Sequence, residues 1–173
     1  GLRGEDAASY FEQAEKACRA LLAAAEKDPD FAPSKTAVLR VRKRLGDCLL
    51  AKQEFEAALE QYTSILKEKP SMLELQQVSA LVLQQWGTES KVIQKIALAS
   101  RGTRPQAGGK NLVWGWVRLA TIADQAKRRA TQRKNSANVS RYTDLFFEAR
   151  FNAAKARFAA SQISVGALRQ KHL

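Results

Sequence analysis

"RLGDCLLAKQEFEAALEQYTSILKEKP", residues 44–70, decides how this chain is read. Its apolar residues recur at threes and fours, the spacing of one helix face. Polar Lys52-Gln53 separates two such segments, and Pro70, which has no N–H to give, closes the second. The stretch therefore predicts a helical hairpin. A lone hairpin says nothing of function, whereas one unit of a repeat belongs to an array whose surface meets partners.

Outward from this stretch the same period persists, and strand-type alternation is almost absent. Ala7, Phe11, Ala14, Cys18, Leu21 and Ala25 form one face of a helix over about 5–27. "DPDFAPS" breaks it, since Pro29 and Pro33 disfavour helix in the residues before them. Ser34 is a suitable N-cap for a second helix to about residue 51. A third covers about 54–69. A fourth runs from residue 71 to "WGT" (86–88), where Gly87 suits a left-handed stop, and a short fifth covers about 89–100. "RGTRPQAGGKN" (101–111) is the clearest linker. A sixth helix over about 112–130, a polar connection "TQRKNSANVSR" (131–141) and a seventh helix over about 142–161 complete an all-α chain of about seven helices.

Residues 39–70 resemble a tetratricopeptide repeat, a helix–turn–helix unit of roughly 34 residues. Leu45-Gly46 occupies its Leu-Gly pair, Ala58 and Tyr62 its second-helix Ala and aromatic, and Pro70 its closing proline. Leu49 stands where an aromatic is commoner, and Arg42 replaces the usual Trp. Small residues at Gly46 and Ala58 let two backbones approach, while Tyr62 wedges between helices. Advancing one repeat length maps Ala58, Tyr62 and Ile65 onto Val92, Ile96 and Ala99, and Gly46 and Leu49 onto Ala80 and Leu83, which gives a degenerate repeat over 73–100. Trp116, Leu119, Ala120 and Ala123 recreate a first helix, and "EARFNAAKARF" (148–158) resembles another. The resemblance implies a single domain over 1–173, its antiparallel helix pairs stacked as a right-handed α-α superhelix. The repeat-like C-terminal helices fall within 112–162. Opening on a second-half helix and closing after a first-half one, the chain reads as a piece of a longer array.

The bulk numbers agree with a folded domain, at 45% hydrophobic and 27% charged residues. No apolar run approaches the ~18 residues of a membrane span. No signal-peptide pattern opens the chain, which starts at Gly1; it reads as soluble, with its compartment undetermined. Cys18 and Cys48 are too few for a disulfide framework or a structural metal site and read as small buried hydrophobes. Charge is uneven. Residues 1–100 carry 14 Lys/Arg and 14 Asp/Glu, whereas residues 101–173 carry 15 basic groups against Asp124, Asp144 and Glu148. That excess favours a polyanionic partner or an acidic protein surface.

Catalysis is poorly provided for. His172, the one histidine, lies two residues from the end, where a general base is hard to hold in place. No phosphate-cradling glycine loop or Cys/His cluster occurs, and Glu56 and Glu60 read as a solvated helix face. No enzyme activity, cofactor or metal is expected. The family resemblance implies ligands held by the first helix of each unit, here Arg40, Lys43, Arg44 and Asp47, then Gln77, Leu81 and Gln84, then Arg118 and Thr121. Cations at Arg40, Lys43 and Arg44 suit the carboxylates of an acidic peptide; the same residues also read as a solvated face offset by Asp47. Lys127, Arg128, Arg129, Arg133, Lys134 and Arg141 form a second basic cluster fit for phosphates. No aromatics interleave it as base-stacking platforms. Leu145, Phe146, Ala149, Ala153 and Ala160 make one apolar face of the seventh helix, and Phe147, Phe151, Ala154 and Phe158 a second. The expected function is a non-catalytic protein-interaction scaffold, with nucleic-acid or polyanion binding as the alternative.

Overall fold

A computed structural model describes residues 4–28, 30–103 and 111–170. Among the described residues there are seven helices and no strand: α1 (Gly4–Lys27), α2 (Lys35–Ala51), α3 (Phe55–Glu68), α4 (Leu73–Glu89), α5 (Ile93–Arg101), α6 (Gly115–Gln132) and α7 (Ser136–Gln170). They divide into two compact units, residues 1–70 and 71–173.

In the first unit α2 packs between α1 and α3. Ser34 caps α2 as expected, its extended backbone letting Oγ accept from Ala37 N at 3.2 Å. The α2–α3 seam is set by Gly46: a Cβ there would lie 2.6 Å from Tyr62 Cε1, so only glycine admits the ring at this depth. Leu45, Leu49, Ala58, Tyr62 and Ile65, the residues that carried the repeat pattern, are all buried. Lys52, at the end of α2, reaches Glu15 Oε2 of α1 and Glu54 Oε1, both at 2.7 Å. Hydrogen bonds from Lys52 and then Arg19 hold the Glu15 carboxyl below its ordinary range.

In the second unit α4 pairs with α5 and α6 with α7, and α5 packs against both later helices. Gly87 does not end α4 as a left-handed stop. It lies inside the helix, where a Cβ would come within 2.6 Å of Ile96 Cγ1 and 2.7 Å of Ile96 N. It is the contact residue of the α4–α5 pair. Two buried glutamines of α4 hold the chain that enters α6. Gln76 donates through Nε2 to Leu112 O (2.9 Å) and accepts from Trp114 N (2.8 Å), and Gln84 Oε1 accepts from the buried Trp116 Nε1 at 2.7 Å. The expected linker is thereby anchored at both ends. Thr103 N donates to Val113 O at 3.0 Å, Val113 N donates to Thr103 Oγ1 at 3.1 Å, and Gly102 and Gly115 abut with φ of 88° and 72°. Residues 104–110 of that stretch lie outside the described residues.

All three pairs turn in the same way. Three residues connect the helices (52–54, 90–92 and 133–135), the middle one left-handed: Gln53 at φ 62°, Lys91 at 55° and Lys134 at 53°. The next amide donates five residues back, from Glu54 to Leu49 O (2.9 Å), Val92 to Gly87 O (2.8 Å) and Asn135 to Ala130 O (3.0 Å). These are Schellman closures, which satisfy carbonyls the helix leaves open. The turns revise the expected spacing. Gln53 and Lys91 are 38 residues apart and Lys91 and Lys134 are 43 apart, against roughly 34 for the family. Val92, aligned with buried Ala58, sits instead in the turn and is 36% exposed.

The connection expected over 131–141 shrinks to three residues. Asn135 Oδ1 accepts from Asn138 N at 3.0 Å, so "SANVSR" opens α7 instead of preceding it. Likewise "EARFNAAKARF" lies within the second helix of the α6–α7 pair and does not start a new one.

Candidate functional site

Four of the expected groove residues lie on α2 in the first unit. Asp47 is engaged from inside, accepting from Tyr62 Oη–H at 2.8 Å through Oδ1 and from Lys43 Nζ at 3.1 Å through Oδ2. Burial, then the bond to Asp47, pushes the Tyr62 phenol well above the ordinary tyrosine range. Arg42, standing where the family has Trp, donates through Nη1 to Ser64 Oγ at 2.9 Å. That leaves Arg40 and Arg44 facing solvent. Cys48 is buried and Cys18 half-buried, and burial raises both thiols, opposed by the charge of Arg44.

The remaining groove residues lie in the second unit. Gln84 is 5% exposed and bonded to Trp116, so it is a packing residue and not part of a ligand surface; an uncharged helical glutamine gives no sequence signal of which side it takes. Gln77 Nε2 donates to Glu148 Oε2 at 3.1 Å, and Leu81 is half-buried. Arg118 lies over the Trp114 ring, 4.9 Å from its centroid, and Thr121 is exposed, donating to Val117 O. Of the two tryptophans flanking Gly115, Trp116 is core and Trp114 half-buried.

The second basic cluster is spread over the end of α6, the α6–α7 turn and the start of α7. Lys127, Arg128 and Arg129 follow one another on α6 and so project roughly 100° apart. Asp124 pairs with Arg128 at 2.9 Å and Lys127 at 3.5 Å. Arg129 lies in the last turn of α6, where a cation offsets the helix dipole. Arg133 and Lys134 belong to the α6–α7 turn. Arg141 lines a separate recess of about 430 Å³ between α4 and α7, with Asp144 and Glu148.

What the fold does bring together is a groove of about 570 Å³ between α6 and α7. Thr121, Asp124, Gln125 and Arg128 line one side, and Phe146, Arg150, Ala154 and Arg157 the other. It joins one expected groove residue, Thr121, to one from the basic cluster, Arg128. Arg150 and Arg157 were missed in the sequence reading, although they stand in a stretch from residue 149 to 173 that holds no acid. Beside the groove runs the second apolar face of α7. Leu145, Ala149, Ala153 and Ala156 are buried, while Phe147, Phe151 and Phe158 remain 63%, 67% and 65% exposed. Phe146, read on one apolar face with Leu145 and Ala149, lies at the groove, with Lys127 Nζ 5.3 Å from its ring centroid.

Among the described residues no group of His, Cys, Asp or Glu is placed to hold a metal ion, and no helix is long and apolar enough to cross a membrane. His172 lies outside the described residues. Comparison with protein-family models, with curated proteins and with solved structures returned no match.

Proposed function

We propose that this chain is a non-catalytic protein-interaction module, built of helix pairs resembling tetratricopeptide repeats and stacked as an α-α superhelix. It binds a protein or peptide partner, of acidic character, in a helical groove. The open α6–α7 groove carries this reading, because Arg150 and Arg157, beside an Arg128 already paired with Asp124, line one concave surface and are suited to bidentate carboxylate pairing. The three pairs closed by the same turn support the repeat reading, since successive pairs of one construction are how such arrays are made. Spacings of 38 and 43 residues make the resemblance one of construction and not of strict period.

A second reading is binding of a nucleic acid or another polyanion. It rests on the second unit, residues 71–173, which holds 17 Lys/Arg against 5 Asp/Glu and so carries the whole +12. One experiment separates the two readings. Immobilised chain is exposed to source-organism lysate with and without nuclease, and retained proteins are identified by mass spectrometry. A defined protein set that survives nuclease supports the interaction module. Loss of everything on nuclease treatment overturns it in favour of the polyanion reading.

A further inference from the structure

α7 is 35 residues long, and its outward face carries an apolar seam, interrupted at Ser161 and Gln162. Phe147, Phe151, Ala154, Phe158 and Val165 recur at spacings of four, three, four and seven, one stripe of a helix. All five are exposed, the three rings and Val165 by 46% or more. At 1.5 Å per residue the seam extends about 27 Å, the length of an 18-residue helix. A lone exposed phenylalanine is unremarkable, but three exposed rings on one stripe of a helix, with Ala154 between them, are a contact surface.

Charge limits what can cover it. Along the half from Phe151 onward the flanks are cationic: Arg150 and Arg157 on the groove side and Lys155 on the other, all exposed, with no acid after Glu148. Arg128 of α6 faces the same groove. A second α7 laid parallel and in register on this seam would set these cations against their own copies, which opposes that pairing. The apolar positions from Phe147 to Phe158 repeat at four, three and four, the period with which a second helix interdigitates; stacking of bases on the three rings is the competing outcome, which oligothymidine tests below.

We propose that the outer face of α7, with the adjoining α6–α7 groove, binds an acidic amphipathic helix of a protein partner. The partner's apolar stripe covers Phe147, Phe151 and Phe158, and its flanking carboxylates pair with Arg150, Arg157 and Lys155. This rests on the interaction-module reading and gives it a surface and a partner chemistry.

The test uses the full chain and fluorescence anisotropy with labelled 20-residue probes: a designed helix with Leu at i, i+4, i+7 and i+11 and Glu on both flanks, its Lys-flanked counterpart, and a scramble of the acidic peptide. Oligothymidine of the same length and phosphatidylserine vesicles are run alongside. The proposal expects the acidic helix to bind at least tenfold tighter than the other two peptides. The double variants Phe151→Ser/Phe158→Ser and Arg150→Glu/Arg157→Glu should each weaken it at least tenfold, with helical circular dichroism unchanged. Arg40→Glu, on α2, should leave it unaltered. Equal binding of the three peptides, insensitivity to both α7 doubles, or selective retention of oligothymidine or vesicles overturns it. Cross-linking of lysate partners keeps the two readings apart. Nuclease-resistant protein partners that cross-link to α2 and not to α7 would leave the module reading standing and sink this one.

Discussion

Gly46 and Tyr62 show how much of the fold rests on single atoms. Replacing Gly46 by Ala would ordinarily favour a helix by about 1 kcal/mol. Here the new methyl meets a buried ring held by Asp47, and overpacking of that kind costs about 1–3 kcal/mol. Gly46→Ala should therefore destabilise the protein by up to about 2 kcal/mol, read as a fall of up to several degrees in melting temperature. Ser79 is the opposite case. Its hydroxyl is fully buried with no hydrogen-bond partner, and an unsatisfied group of this kind costs about 1–3 kcal/mol. Ser79→Ala should leave stability unchanged or raise it by about 1 kcal/mol in urea unfolding. Tyr62 supplies a pH signature. Its folded pKa lies above the unfolded value of about 10, so below that pH both states keep the proton and stability is fully present. Above it the unfolded chain ionises first and stability is lost, by up to about 1.4 kcal/mol per pH unit. Tyr62→Phe should flatten this alkaline decline in melting curves taken between pH 9 and 11, although it loses the bond to Asp47 at neutral pH.

At the scale of elements, the helices were legible and most of their joints were not. Leu45, Leu49, Ala58 and Tyr62 announced α2 and α3 because burial imposes its period on the sequence, and all four are core. Trp116, Leu119, Ala120 and Ala123 did the same for α6. The turns use Gln53, Lys91 and Lys134 at left-handed backbone, where Gly or Asn is the usual sign, so only the first was marked, by polar Lys52-Gln53. Ser136, Asn138, Val139 and Ser140 are weak helix formers, yet the Asn135 cap and the packing of α7 on α6 make them helical. A left-handed lysine is strained, and Lys134→Gly should relieve that strain. The expected gain is up to about 1 kcal/mol in chemical denaturation, since the φ of 53° falls where glycine alone has no Cβ conflict. The candidate site was legible only in part. Thr121 and Arg128 were read for different reasons and meet in one groove, while Gln84 turned inward to serve Trp116.

For the molecule as a whole, two units of unlike charge share one chain. Residues 1–70 carry 12 Lys/Arg and 12 Asp/Glu, and the excess belongs to residues 71–173. Composition revealed that split, because charge can be counted without knowing the fold. It could not say which cations cluster, since that depends on helix faces and on partners such as Asp124. The anchoring at Thr103 and Val113 has a consequence for engineering. Two hydrogen bonds join these residues, and Gln76 grips Leu112 and Trp114 beyond them, so the register of α6 on α4 is set outside residues 104–110. Lengthening a closed loop adds only about 0.6 kcal/mol per doubling. A ten-residue epitope tag inserted between 107 and 108 should thus leave the melting temperature within a few degrees of the parent. A chain cleaved between 107 and 108 should likewise keep the α4–α6 packing, because the joint is held on either side of the cut.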